Sequence, residues 1–210
     1  MSDGTPQMAA TEEWAVVTGA SSGLGADFAR QLAARGYHVV LVARRVERLR
    51  DLADEIAAAT GRPAEVLALD LAEAGATARL FEAATAGGRA VSVLVNNAGF
   101  GQFGQFLNRD PAEERRLLEL NIAVPVALTR LFGRAMARRR AGYILQVGSM
   151  AGFQPTPWYA VYGASKAFLQ CFGEALHVEL GRKGVVATVL SPGMTETEFF
   201  DVSGQDLKLA

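Results

Sequence analysis

Along the chain, short runs rich in valine and leucine alternate with longer alanine- and leucine-rich amphipathic stretches. The short runs fall at residues 15–18, 38–42, 65–69, 91–95, 142–147 and 185–190, and they predict strands. The longer stretches predict helices at about 24–34, 46–59, 72–86, 112–139 and 158–182. Strand and helix alternate in this way when a parallel sheet is covered by helices on both faces. The expected fold class is therefore α/β, a doubly wound parallel sheet in a single domain over residues 14–210. Residues 1–13 are polar, small and unpatterned, and are expected to form a mobile lead-in.

Local signals refine two of the helices. Asp110 followed by Pro111 is an N-cap with proline at the first helical position, so the helix over 112–139 has a defined start. Pro125 lies inside it and predicts a kink or break near Val124. The run Arg138, Arg139 and Arg140 closes the same helix, where cations complement the helix dipole.

Composition narrows the picture mainly by exclusion. The chain has 210 residues, 21 basic against 22 acidic, and a net charge of −1, a balance that points neither to nucleic acid nor to an anionic membrane surface. Cys171 is the sole cysteine, which rules out an internal disulfide and a cysteine-based zinc cage. With two histidines far apart, no metal site is expected. There is no apolar run long enough to cross a bilayer and no basic-then-apolar signal at the amino terminus, so the expected location is cytoplasmic.

The first candidate chemistry is the loop Thr18-Gly19-Ala20-Ser21-Ser22-Gly23-Leu24-Gly25, between the first strand and the first helix. Its glycines permit a tight turn and close approach of a pyrophosphate, while the helix N-terminus offers free N–H groups and partial positive charge. The second strand ends Val42-Ala43-Arg44-Arg45, where a carboxylate would be needed to accept hydrogen bonds from a 2′-hydroxyl. Arg44 can instead hold a 2′-phosphate, which selects NADP(H) over NAD(H). The alternative is that the two arginines are solvated loop charges. After the third strand, Asp70-Leu71 is placed to meet the adenine edge, and Asp70 is equally suited to cap the next helix.

The second is Tyr162-Gly163-Ala164-Ser165-Lys166. A phenol and an ammonium four residues apart share one helix face. A free tyrosine titrates near pH about 10, so as an acid/base at neutral pH it needs its anion stabilised, which a fixed lysine charge provides. The same spacing also occurs on ordinary solvated helices.

The motifs taken together are more specific. Thr18-Gly19-x-x-x-Gly23-x-Gly25, Asn96-Asn97-Ala98-Gly99, Asn121, Ser149, Tyr162-x-x-x-Lys166 and Pro192-Gly193 occur in one order in which the chain resembles the short-chain dehydrogenase/reductase family, NADP-preferring carbonyl reductases in particular. The resemblance runs from about Trp14 to Phe200 and implies the Rossmann arrangement. It implies that Gly19, Ser21, Ser22, Gly23, Leu24, Gly25, Arg44, Asp70, Leu71, Asn97, Ala98 and Gly99 hold the cofactor. It further implies that Tyr162 exchanges a proton with the substrate oxygen and that Lys166 lowers the tyrosine pKa and holds the nicotinamide ribose. Ser149 would hydrogen-bond the reacting oxygen, and Asn121 would anchor a water in a proton path. Pro192, Gly193, Thr195 and Thr197 resemble the turn that holds the nicotinamide, although Thr195 replaces the usual branched aliphatic residue.

The resemblance also frames the surroundings of the site. Family members usually continue through a substrate-covering segment and one more strand, whereas here only residues 201–210 come after the turn. The sheet as given is thus expected to lack its usual last strand, either because the natural chain is longer, the preferred reading, or because the sheet has lost an edge. Phe100, Phe103, Phe106, Phe153, Trp158, Tyr159, Phe199 and Phe200 are candidates for an apolar pocket or for ordinary core. The expected activity is hydride transfer between NADP(H) and an apolar or aromatic ketone or aldehyde, with the corresponding alcohol as product. The rival reading is a non-catalytic NADP(H)-binding sensor or scaffold. A sugar-nucleotide epimerase or dehydratase is disfavoured by the glycine spacing and by the lack of a large C-terminal substrate domain. The two long helices resemble those that pair subunits in the family, which implies a homodimer or homotetramer.

Overall fold

The computed structural model describes residues 13–193 and Ser203. In chain order the elements are β1 (Glu13–Thr18), α1 (Gly23–Ala34), β2 (His38–Ala43), α2 (Val46–Thr60), β3 (Glu65–Ala68) and α3 (Ala76–Thr85). They continue with β4 (Ala90–Asn96), α4 (Pro111–Leu118), α5 (Val124–Arg139), β5 (Gly142–Val147), α6 (Ala160–Gly181) and β6 (Val185–Leu190). Hydrogen bonding joins the strands in the order β3-β2-β1-β4-β5-β6, with every pairing parallel. The doubly wound α/β sheet expected from the sequence is therefore present. The expectation of a mobile lead-in falls almost wholly outside the described residues; Glu13, its last residue, already pairs with Ala90 in β1.

The apolar runs work because successive strand residues face opposite sides of the sheet. Ala15, Val17, Val39 and Leu41 point to one side, where Ala29, Ala33, Leu49, Leu52 and Ile56 of α1 and α2 close over them. Val16, Val40, Val42 and Leu94 point to the other, under Leu80, Leu128, Phe132 and Met136 of α3 and α5. Phe132 is fully buried, and burying a side chain of that size contributes about 1.5–3 kcal/mol. The strand order reverses between β1 and β4, the place where an open α/β sheet forms a crevice at the carboxyl ends of its strands.

Three helix boundaries depart from the sequence pattern, each for a local reason. α3 begins at Ala76 rather than 72, because Asp70 diverts the chain. Its Oδ1 accepts from the Ala72 amide at 3.0 Å, its carbonyl accepts from Glu73, and Gly75 then takes a left-handed conformation. The stretch 112–139 is interrupted by a π turn over Glu119–Ala123. Pro125 has no N–H to offer the carbonyl of Asn121 four residues earlier, so the expected break takes the form of one wider turn rather than a sharp kink. α6 begins at Ala160, because Trp158 has φ 62°, outside any right-handed helix. The expected cap at Asp110 is formed, its carboxylate accepting from the Ala112 amide at 2.8 Å.

Candidate active site

The loop after β1 and the loop after β4 are tied together by one threonine and one asparagine. Thr18 is buried; its hydroxyl donates to the Val95 carbonyl at 3.1 Å and accepts from the amides of Asn97 and Ala98, each at 3.0 Å. Asn97 answers with its side-chain amide, which donates to the carbonyls of Thr18 at 2.9 Å and Gly19 at 3.2 Å. Within this knot there is no space for a side chain at two glycines. A Cβ on Gly25 would lie 2.2 Å from the Gly19 carbonyl oxygen, and one on Gly19, whose φ is 67°, would lie 2.8 Å from the Asn97 amide nitrogen. The two backbones thus approach closely, and α1 starts at Gly23, where Gly23 and Leu24 line the crevice and the first amides have no intrahelical acceptor.

Arg45 crosses this loop from the end of β2. Its guanidinium donates to Ser21 Oγ at 3.0 Å and to Ser22 Oγ at 2.8 Å. The sequence directs Arg44 toward a phosphate and gives its neighbour no separate role. In the structure both arginines are exposed and line the crevice, with Arg45 fixed against the loop. At the end of β3, Asp70 supports its own turn through Oδ1, while Oδ2 is paired with Arg116 of α4.

At the other end, α6 brings Tyr162 and Lys166 beneath the end of β5. Lys166 is 6 % exposed, and its ammonium donates to the Val147 carbonyl at 2.7 Å. Desolvation lowers its pKa from 10.5 to about 8. Tyr162 is hydrogen-bonded with Ser149, whose Oγ also accepts from the Ala151 amide at 3.1 Å. Burial raises the phenol pKa above its ordinary value; the Ser149 contact acts in the opposite sense, and nearby Tyr159 raises it further. The resemblance implies a lowering by the lysine, whereas the net direction here is upward. The Lys166 Nζ lies 5.7 Å from the tyrosine ring centroid, and burial is the largest cause of the upward shift.

Asn121 serves this floor from behind. Its side-chain amide donates to the Phe100 carbonyl at 3.0 Å and to Ser165 Oγ at 3.1 Å, while its Oδ1 accepts from the Phe100 amide at 3.1 Å. Asn121 therefore fastens the loop after β4 to α6, one residue short of Lys166. Gly99 fits beside it, where a Cβ would come within 2.9 Å of Asn121 Oδ1. The side chain is committed to these bonds; the group that Pro125 leaves without an α-helical partner is the backbone carbonyl.

One cleft of about 640 Å³ joins the two ends. Of the residues expected at the site, all those described line it except Gly25 and Asn121, which support it from behind; Thr195 and Thr197 lie outside the described residues. Among the aromatic candidates, Phe100, Phe103 and Tyr159 line the cleft. Phe106, Phe153 and Trp158 are 58, 64 and 55 % exposed, and Phe199 and Phe200 lie outside the described residues.

A family model described as short chain dehydrogenase matches residues 13–208. The chain belongs to the short-chain dehydrogenase/reductase family. It is 36% identical over 182 residues to 17-beta-hydroxysteroid dehydrogenase type 3 of Mus musculus, covering 86% of this chain and 59% of that protein. It is 40% identical over 182 residues to very-long-chain 3-oxoacyl-CoA reductase of Pyricularia oryzae, covering 85% of this chain and 55% of that protein. The chain thus spans less than two thirds of the length of either relative. Among solved structures, it superposes on a short-chain dehydrogenase from Sphingobium yanoikuyae in complex with NADPH with a TM-score of 0.89 and 32% identity, over 95% of this chain and 77% of that one.

Four contributors in this dehydrogenase fold are given no role of their own by the motifs: Arg45, Arg116, Ser165 and Ser203. Ser203 is buried; its hydroxyl pairs with Tyr159 Oη at 2.8 Å, and its carbonyl accepts from the Phe103 amide at 2.9 Å. Nothing in a linear reading brings residue 203 to residues 103 and 159, since that contact exists only once β6 and α6 are packed. Among the described residues no cluster of acidic, histidine and cysteine side chains is suited to a metal, and no helix is long and apolar enough to cross a membrane.

Proposed function

We propose that the protein is an NADP(H)-dependent oxidoreductase that interconverts an apolar or aromatic ketone or aldehyde with the corresponding alcohol. The observation that carries this reading is the pairing of ends within one cleft. A glycine loop crossed by Arg45 lies at one end, and the Ser149, Tyr162 and Lys166 group lies at the other. The residues present fit a dinucleotide, because the positions where a Cβ would collide, Gly19 and Gly25, leave backbone amides for a pyrophosphate. Arg44 and Arg45 are suited to a 2′-phosphate, and among the described residues the cleft wall supplies no carboxylate at that end other than Asp70.

When bound, the dinucleotide supplies or accepts the hydride. The remaining chemistry belongs to side chains of this chain. The Tyr162 hydroxyl donates its proton to the substrate oxygen in reduction and takes it back in oxidation. Its high pKa keeps the phenol protonated at neutral pH, ready to act as the acid. Ser149, already hydrogen-bonded with that phenol, orients the same oxygen. Lys166, lowered to about 8, is poised to return a proton near neutral pH, and the Asn121 carbonyl lies on the adjoining turn. Phe100, Phe103 and Tyr159 offer an apolar wall suited to a bulky carbonyl compound.

A panel of uncharged ketones and aldehydes, assayed by loss of NADPH absorbance and repeated with NADH, tests both parts. Turnover with NADPH is expected to exceed that with NADH, and Arg45→Ala is expected to narrow the gap by about ten-fold, the worth of one charge-assisted hydrogen bond. Absence of substrate-dependent oxidation across the panel, with NADPH still bound, would instead favour a sensor or scaffold.

A further inference from the structure

Tyr159 differs from the rest of the apolar wall, because it carries a hydroxyl and that hydroxyl is already committed. It sits between Phe103, at a centroid distance of 5.4 Å, and Tyr162, at 5.7 Å, so one ring touches both the wall and the proposed acid. The backbone leading into it is strained. The preceding Trp158 has φ 62°, a conformation that side-chain-bearing residues seldom hold, and the Trp158 carbonyl accepts from the Gly104 amide at 2.9 Å. Ser203 then grips the same two segments. Its hydroxyl meets Tyr159 at 2.8 Å and its carbonyl meets the Phe103 amide at 2.9 Å. A buried serine with both side chain and backbone satisfied by two wall residues holds them at a fixed separation.

We propose that Ser203 is a positioning residue for the substrate wall, acting through Tyr159 and Phe103 to set the space in front of Tyr162. This rests on the oxidoreductase reading only for its kinetic arm. The Ser203 and Tyr159 hydroxyls share one hydrogen bond, so removing either hydroxyl removes that bond. Tyr162 keeps its Ser149 partner in both cases, and the cofactor end, across the cleft, is untouched.

The test compares Ser203→Ala, Tyr159→Phe, the double variant and Ser203→Thr in the full chain. Each single variant is expected to raise KM for a bulky ketone about five-fold, the size of one neutral hydrogen bond, with kcat and NADPH affinity little changed. The double variant is expected to be no worse than either single one, and Ser203→Thr, which keeps the hydroxyl, to restore KM. Additive losses, or a fall in kcat with unchanged KM, would overturn the proposal. Hydrogen exchange at the Phe103 amide provides an arm independent of turnover: Tyr159→Phe is expected to speed it by loosening Ser203. If the wild-type chain turns over no ketone but exchange at Phe103 still responds, the oxidoreductase reading fails and the restraint stands. Unchanged exchange in Tyr159→Phe would show that the two bonds are not coupled and sink the inference.

Discussion

The cofactor end and the substrate end of the cleft reach their precision by opposite means. Around β1 the geometry depends on missing side chains: Gly19 and Gly25 leave room for the Thr18–Asn97 knot, and backbone groups do the facing. Around α6 it depends on polar side chains placed where they are costly, with Lys166, Asn121 and Ser165 all buried beneath the floor. The first arrangement tolerates no addition. The second tolerates no removal of a partner, since each buried polar group left unpaired costs about 1–3 kcal/mol. The same contrast makes the glycine loop recognisable from its spacing, whereas the aromatic residues of the substrate wall are alike in pattern and distinguishable only in place.

The contrast can be broken most strongly at Tyr162. Tyr162→Phe keeps the ring and its packing, so the protein should remain folded and bind NADPH, while turnover of any accepted ketone falls by about 10²–10⁴-fold. Retention of most of the rate would remove the tyrosine from the proposed acid/base role. At the cofactor end the expected loss is structural. Gly25→Ala sets a methyl group within 2.2 Å of a backbone oxygen, and the backbone must yield. A cost of about 3 kcal/mol in denaturant unfolding is expected, with NADPH affinity falling alongside. Wild-type stability in that variant would mean that the loop is less tightly specified than its contacts imply.

The smallest and sharpest test lies at Lys166. Its pKa in the folded protein, about 8, is below its ordinary 10.5, so between these values the unfolded chain holds a proton that the native protein lacks. Stability should therefore rise as pH increases from about 8 toward 10, with the full penalty of burying the charge present below that window. The penalty is at most roughly 3 kcal/mol. Lys166→Met should flatten this rise and lose turnover; at neutral pH the relief of the buried charge is set against the cost of leaving the Val147 carbonyl without its donor, so the change in stability there should be small. A stability profile in that variant with the wild-type slope would assign the rise to other groups.

Much of this is legible in the chain because it concerns neighbours in sequence or elements in order. The six apolar runs mark the six strands, and the glycine spacing and the Tyr162–Lys166 interval mark the two ends of the cleft. The features that stay hidden depend on three-dimensional company. Arg44 and Arg45 cannot be told apart by type, yet it is Arg45 that reaches two serines. The direction of the Tyr162 shift escapes the sequence because charge is visible there and desolvation is not. For Asn121 the sequence does not show that the side chain is spent on Phe100 and Ser165, which lie 21 and 44 residues away. The helix expected over 72–86 is too long because one carboxylate, Asp70, turns the chain before the apolar pattern begins.

The π turn at Glu119–Ala123 has a mechanical consequence. It is one residue more than a regular helix would use, and each residue of an α-helix rotates the next by about 100° around the axis. Removing a single residue there, with α5 held in place and Pro125 still bending the helix, would swivel α4 about its axis. Leu117 would leave the aromatic cluster with Tyr159 and Tyr162, and Arg116 would leave Asp70. The extra residue acts as an angular spacer: by its width alone it aims one short helix at both Asp70 and the Tyr159–Tyr162 pair, at the two ends of the same cleft.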